Sequence, residues 1–298
     1  MMPEGGAVAK PPRRILVAGC GYVGLPLALN LAGEGHTVWG LRREAQDLPA
    51  PVRPLSADLT NEGSLDVLPA EVDDLVFCPS AGGRGSAARY RAIYAEGLQR
   101  LLDRMAPRRL IFVSSTGVFG QRHGEWVDEG SEPDPALVSG QCMLEAERVA
   151  ATCDGAVVVR FSGIYGPGRI RLIRRLRAGD AVCVRDRPRY LNQIHRDDCA
   201  GVIRHVLELE DPAPVYLATD HEPASKFEVW QWLAARLGIP GPRQVDSGDP
   251  DLPRDERGNK RCSNRRLRDS GYSFRFPDYR YGYAGLLTSQ AEPSESGE

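Results

Sequence analysis

The sequence has no long hydrophobic run. Its longest apolar stretches, such as ILVAGC from residue 15, are far shorter than the roughly 20 residues that a membrane-spanning helix requires. The amino terminus also has no basic segment followed by an apolar one, so we expect no secretory signal and a cytoplasmic protein. A composition of 42% hydrophobic and 26% charged residues is typical of a soluble globular chain and excludes fibrous and disordered classes.

An excess of charge of one sign is also missing. The 38 basic and 40 acidic residues leave a net charge of -2, which offers no general attraction for nucleic acid or an anionic membrane. We therefore expect neither of those partners. A homodimer is compatible with this charge.

Paired cysteines are absent. The seven cysteines are scattered and form no Cys-x-x-Cys motif, which predicts free thiols in a reducing compartment, with no disulfide frame and no metal site. Lysine is scarce as well, because Lys10, Lys226 and Lys260 are the only three among the 38 basic residues.

Short β-branched runs alternate with helical patterns along the first 160 residues. This alternation is typical of βαβ units and predicts an α/β fold of the Rossmann type, with a doubly wound parallel sheet between two helical layers. The predicted strands are Ile15–Ala18, Thr37–Leu41, Val52–Ser56, Asp74–Cys78, Leu110–Val113 and Ala156–Phe161, and the predicted helices are Tyr22–Ala32, Gly63–Leu68, Ala87–Met105 and Ala136–Thr152.

A glycine motif directly follows the first predicted strand and opens the first helix. Gly19 allows a tight turn, Gly21 lets the backbone approach a pyrophosphate, and Gly24 allows the helix to pack closely on the strand. The alternative is a glycine turn that serves packing alone. We predict that the motif binds a dinucleotide through Gly19, Cys20, Gly21, Tyr22, Val23 and Gly24.

The end of the second strand favours NADP over NAD. Gly40 and Leu41 stand where an acidic residue usually holds the ribose hydroxyls of NAD. Arg42 and Arg43 follow, and their guanidinium groups can form charge-assisted hydrogen bonds with a 2′-phosphate. The alternative is that both arginines are merely solvated.

These signals predict four segments along the chain. They are a flexible tail over 1–12, an NAD(P)-binding Rossmann core over 13–165, a smaller C-terminal substrate lobe over 166–288 that interleaves with the core, and a second tail over 289–298. Within the lobe we expect a hairpin at Ala181–Ile194, a helix from Asp197, a strand at Val215–Ala218 and a helix near Phe227–Leu237.

Further motifs extend over nearly the whole chain. They are ADLTN at 57–61, SSTGVFG at 114–120, GEWVDE at 124–129, GIYGPGR at 163–169 and NQIHRDD at 192–198. With GCGYVG they resemble the extended short-chain dehydrogenase/reductases, the NAD-dependent epimerase/dehydratase group, and within it an atypical branch. The resemblance implies an oxidoreductase or epimerase/dehydratase that acts on a small metabolite, with nucleotide sugars and other anionic compounds among the candidates.

The resemblance also implies roles for individual residues. Asp58 and Leu59 are expected to border the adenine, and Ser80 belongs to a loop, residues 78–83, expected to pass beneath the nicotinamide. Ser115 is expected to supply the hydroxyl that hydrogen-bonds a substrate carbonyl or alcohol.

The chain departs from the family at its catalytic Tyr-x-x-x-Lys pair. The resemblance aligns Ser139 with the tyrosine and Met143 with the lysine, and no tyrosine in the chain has a lysine four residues later. Tyr165 has an arginine at that spacing, but on a Gly-Pro loop where the two side chains need not meet. His195 can exchange protons near neutral pH, with a structural role in its turn as the alternative.

The candidate catalytic residues are therefore Ser115, Ser139, Tyr165 and His195. The chain also has two arginine clusters, at 169–177 and 261–268. They either neutralise a substrate diphosphate or lie on exposed helices and bind no ligand. Besides an enzyme, a dinucleotide-binding pseudoenzyme or sensor and a non-redox isomerase or lyase remain open, because a fold of this kind supports many functions.

Overall fold

The computed structural model describes residues 11–82, 86–249 and 258–288. The predicted tails lie outside these residues, except for positions 11 and 12, and so does Gly83 of the predicted nicotinamide loop.

The described residues form thirteen strands. They are β1 Arg14–Ala18, β2 Thr37–Arg42, β3 Arg53–Ser56, β4 Asp74–Phe77, β5 Arg109–Ser115, β6 Glu125–Val127, β7 Ala156–Phe161, β8 Gly163–Tyr165, β9 Val182–Val184, β10 Gln193–His195, β11 Val215–Ala218, β12 Arg243–Val245 and β13 Lys260–Cys262.

The same residues form nine α-helices. They are α1 Gly24–Gly33, α2 Ala87–Arg91, α3 Gly97–Leu102, α4 Val138–Ala150, α5 Arg171–Arg177, α6 Arg196–Glu208, α7 Lys226–Leu237, α8 Arg265–Asp269 and α9 Tyr279–Thr288. A π-helical segment, Ala92–Glu96, joins α2 to α3. Two 3₁₀ helices span Glu62–Val67 and Thr116–Val118. None of these helices has the length and apolar character needed to cross a membrane.

Seven strands form one parallel sheet in the order β3-β2-β1-β4-β5-β7-β11. All six pairings are parallel. The chain proceeds outward from β1 in one direction through β2 and β3, then returns to β4 and proceeds in the other. The predicted doubly wound α/β sheet is thus confirmed. Folds of this kind bind ligands at the carboxyl ends of the strands where the direction reverses.

Side chains that alternate between the two faces of the strands pack against the two helical layers. Ile15 and Val17 of β1 belong to a buried cluster that includes residues of α1 and α6. Leu16 and Ala18 point to the other face and belong to a cluster with residues of α3 and α4. Because side chains alternate along a strand, a strand buried on both faces needs apolar residues at every position, as the run ILVA provides.

A third apolar cluster lies in the C-terminal part of the chain. α5, α7 and α9 pack around Trp230, which is fully buried, and around Ile173 and Tyr283. The sheet nevertheless takes its last strand, β11, from beyond residue 165. The boundaries of the lobe and its role in substrate binding remain predictions.

The predicted hairpin at Ala181–Ile194 is wrong. β9 pairs in parallel with β12, and β10 pairs in parallel with β8, so the two strands of that segment have different partners. Those partners are distant in the sequence, and local apolar patterning carries no information about them. The predicted helix Gly63–Leu68 is a 3₁₀ helix, and the long helix predicted from Ala87 contains the π-helical segment.

Candidate functional site

A cleft of about 570 Å³ opens at the carboxyl ends of the strands where the sheet reverses direction. Its walls include the glycine turn after β1, the ends of β2 and β5, the segment after β4, and one face of α4. Its volume lies within the usual range of small-molecule sites, about 300–1,000 Å³.

The three glycines of the turn meet different requirements. Gly19 has φ +100°, and a Cβ there would lie 2.4 Å from the backbone of Cys78. A Cβ on Gly24 would lie 2.5 Å from the carbonyl oxygen of Gly19. These two glycines are required by packing. Gly21 differs, because a Cβ there would meet no atom nearer than 3.9 Å and would enter the exposed cleft.

Gly21 therefore distinguishes the two interpretations of the motif. Packing alone explains Gly19 and Gly24 but gives no reason for a glycine at position 21. A bare backbone facing a cleft at the start of a helix is what close approach of a phosphate requires. The turn fits a dinucleotide on this ground.

Most of the predicted cofactor residues line this cleft. Gly19, Gly21, Tyr22, Val23, Arg42, Arg43, Asp58, Leu59 and Ser80 are among its walls. Cys20 and Gly24 are buried beneath them. The carboxylate of Asp58 accepts hydrogen bonds from the amide and the hydroxyl of Thr60, which lower its pKa. That carboxylate is therefore fixed and charged in the wall.

The two arginines after β2 differ in what they bind. Arg42 donates to the carbonyl oxygen of Glu44 at 2.6 Å and forms an ion pair with Asp47. Arg43 also lines the cleft, and no ion pair to it is found among the described residues. Arg43 is thus the more available of the two for an anionic ligand.

Two of the four candidate catalytic residues reach the cleft. Ser115, at the end of β5, accepts a hydrogen bond from the amide of Gly117 at 3.0 Å, which leaves its hydroxyl proton to donate. Ser139 lies on α4, and Met143 lies one turn later on the same face, since residues four apart are neighbours on a helix. Both line the cleft.

Tyr165 and His195 lie outside the walls of the cleft. Each is only 3% exposed, and their rings are in contact with a centroid distance of 5.4 Å. Tyr165 also stacks on Tyr283, and burial raises its pKa further above its usual value. His195 caps α6 by accepting from the amide of Asp197, and burial lowers its pKa. The structure does not bring these two candidates together with Ser115.

Tyr165 and Arg169 do not form a substitute pair either. Tyr165 points into the apolar cluster, whereas the guanidinium of Arg169 lies 4.0 Å from the centre of the Tyr22 ring. Glu145 of α4 forms a bidentate ion pair with Arg91 of α2.

The wall next to α4 was missed by sequence reasoning. It comes from α2 and the π-helical segment and contributes Arg89, Tyr90, Ile93 and Tyr94. The hydroxyl of Tyr94 accepts from the amide of Ala81 at 3.3 Å, and burial raises its pKa, so it is a neutral hydroxyl. A π-helix breaks the 3.6-residue period, and no sequence signal available here marks it.

A buried ion pair fixes α4 against the sheet. Arg160 of β7 contacts both carboxylate oxygens of Glu147, at 3.0 and 2.7 Å, and Ser114 of β5 donates to the same carboxylate at 2.5 Å. The side chains of the pair are 7% and 11% exposed. This network joins the helix that carries Ser139 to the strand that carries Ser115.

Comparisons with known proteins agree with this architecture. Residues 15–216 match the sequence profile of the NAD dependent epimerase/dehydratase family. The chain is 27% identical over 283 residues to Protein YeeZ of Escherichia coli (strain K12), covering 89% of this chain and 97% of that protein. A solved structure from Methylobacillus flagellatus bearing the same family description has 38% identity and a TM-score of 0.79, over 95% of this chain and all of that one.

A more distant structure shares the fold. The Bordetella bronchiseptica enzyme WbmG, in complex with NAD and UDP, has 17% identity and a TM-score of 0.76, covering 94% of this chain and 95% of that one.

Proposed function

The chain belongs to the NAD-dependent epimerase/dehydratase family, as its motifs predicted, and on that premise we propose that the cleft binds NAD(H) or NADP(H). We propose further that the protein acts as an oxidoreductase or epimerase/dehydratase on a small metabolite. The observation that carries the proposal is the bare backbone of Gly21 in the wall of a cleft at the switch point of the sheet. The complex of WbmG with NAD and UDP supports a dinucleotide in a fold of this type.

A bound nicotinamide would supply hydride transfer. The residues of this chain would bind and orient the reactants. The amides of Tyr22 and Val23 in the glycine turn would hold the diphosphate, and the hydroxyl of Ser115 would donate to a substrate oxygen. Ser139 stands beside it on α4.

Replacing Gly21 with leucine should weaken dinucleotide binding at least tenfold. The side chain would occupy the space that a phosphate needs, and each lost charge-assisted hydrogen bond is worth roughly 1.5–3 kcal/mol. Gly33→Leu is the matched control, because Gly33 is exposed at the end of α1 with no atom within 4 Å of its Cβ position. Titration calorimetry measures the affinities of both variants for NAD⁺ and NADPH. A native protein with no millimolar affinity for either cofactor would falsify the proposal.

Preference for NADP over NAD is a separate part of the proposal. It rests on the absence of an acidic residue at the end of β2 and on Arg43, which faces the cleft without an ion pair among the described residues. Arg42 already binds Asp47 and the backbone of Glu44.

Arg43→Ala should therefore weaken NADPH binding by roughly 10- to 100-fold, the equivalent of one charge-assisted hydrogen bond. Its effect on NADH, which has no 2′-phosphate, should be small. Arg42→Ala is the comparison and should have the smaller effect on NADPH. An equal loss of affinity for NADPH and NADH in Arg43→Ala would show that this residue does not recognise the 2′-phosphate.

A dinucleotide-binding protein without redox turnover is the second candidate. The specific observation in its favour is that Ser139 and Met143, which the resemblance aligns with the family's tyrosine and lysine, line the cleft, while Tyr165 and His195 are buried elsewhere. Anaerobic mixing of the NADPH complex with ketones, followed at 340 nm, tests for net reduction. An epimerase or dehydratase returns the cofactor to its starting state, so its activity is measured as product formed from nucleotide sugars by the NAD⁺ complex. A non-redox isomerase or lyase would form product without any cofactor, whereas a protein without turnover would form none in either assay.

A further inference from the structure

Arg169 lies beside the glycine turn although it comes from a distant loop. Its guanidinium carbon is 4.0 Å from the centre of the Tyr22 ring, and Tyr22 is the residue that follows Gly21. Arg169 is exposed and lines the same cleft as Gly21. The side chain is therefore open to a ligand held at the turn.

The loop that carries Arg169 is attached to the turn. The hydroxyl of Tyr22 donates to the carbonyl oxygen of Pro167 at 3.0 Å, and the amide of Arg169 donates to Gly166 at 2.9 Å. Gly166 has φ +145°, and a Cβ there would lie 3.0 Å from the Tyr22 hydroxyl. The glycine thus allows the close approach that places the backbone of Arg169 next to the turn.

The charge of Arg169 is not neutralised by the described protein. Arg196 also lies over the Tyr22 ring, at 5.4 Å, but it forms an ion pair with Asp197 at 3.0 Å. No carboxylate among the described residues pairs with Arg169. An unpaired guanidinium at the rim of a cleft attracts anions, and its planar fork suits the oxygens of a phosphate.

We propose that Arg169 binds the diphosphate of the dinucleotide, and so adds a cation from the C-terminal part of the chain to the amides of the glycine turn. This inference rests on the proposed binding of NAD(P)(H). The diphosphate of the cofactor is favoured over that of a nucleotide-sugar substrate because Arg169 stacks on the turn itself. Arg169 belongs to the predicted lobe over 166–288 and directly precedes α5 in that lobe. A contact from Arg169 to the cofactor would therefore couple cofactor binding to the position of the lobe.

The test compares Arg169→Gln with Arg171→Gln. Arg171 lies two residues later, is exposed and is not part of the walls of the cleft. Its variant makes the same change in net charge and leaves the cleft unaltered. We expect Arg169→Gln to weaken NAD⁺ binding about tenfold in calorimetry and to reduce the dependence of affinity on salt. Arg171→Gln should bind as the native protein does. Arg169→Lys, which keeps the charge, should recover part of the loss.

UDP-glucose is the second probe. If Arg169→Gln binds NAD⁺ as tightly as Arg171→Gln, the inference is overturned while the proposed function stands. Loss of UDP-glucose binding with unchanged NAD⁺ binding would also overturn it and would assign Arg169 to a substrate diphosphate. A native protein that does not bind NAD⁺ or NADPH at all would overturn both the inference and the proposed function.

Discussion

Arg160→Met is expected to lower the free energy of unfolding by about 3–5 kcal/mol, because it leaves a buried carboxylate without its partner. Glu147 receives two hydrogen bonds from Arg160 and one from Ser114, and its side chain is 11% exposed. The ring of Phe119 covers the guanidinium at 5.1 Å. Water cannot readily replace these contacts. A urea denaturation curve monitored by circular dichroism measures the loss of unfolding free energy.

Two further variants show whether burial is the cause. Arg91→Met removes the bidentate partner of Glu145 on the same helix, but that pair is 48% and 36% exposed, so the expected loss is below about 1 kcal/mol. The double change Arg160→Met with Glu147→Leu removes both charges and should recover much of the stability, because no unpaired charge remains buried. Similar small losses for Arg160→Met and Arg91→Met would contradict this account.

Much of the sheet could be predicted because its signals are local. The run ILVA followed directly by Gly19, Gly21 and Gly24 indicates a buried strand, a turn and a helix within a dozen residues. The glycine turn after β1 and the arginines after β2 were named from such local signals, and most of these residues line one cleft. Asp58, Leu59 and Ser80 were named from the family resemblance and line the same cleft.

The parts that failed depend on contacts between distant segments. Tyr165 was a candidate because Arg169 follows it at the spacing of the family's pair, yet α9 brings Tyr283 against it, and the residue is buried in an apolar cluster. His195 is covered by Phe276 in the same way. The difference between Arg42 and Arg43 is local by contrast, since an ion pair to Asp47, on the same loop, distinguishes two adjacent identical residues.

Installing the family's pair on α4 should create or raise a reductase activity. Carbonyl reduction requires a proton for the oxygen as hydride arrives, and neither a serine hydroxyl nor a thioether is suited to supply one at neutral pH. Ser139 and Met143 lie one helical turn apart and both face the cleft, so Ser139→Tyr with Met143→Lys would place a phenol and an ammonium in its wall. The lysine would lower the pKa of the phenol.

Positioned general acid catalysis is worth roughly 10²- to 10⁴-fold, and we expect a gain of that order over the native rate of NADPH oxidation with simple ketones. Ser139→Phe with Met143→Lys is the matched control, because it differs only by the phenolic oxygen and should show no gain. NADPH affinity, measured on each variant, establishes that the cleft is intact. Rapid ketone reduction by the native protein would contradict this account, because some group of the native cleft would then already supply the proton.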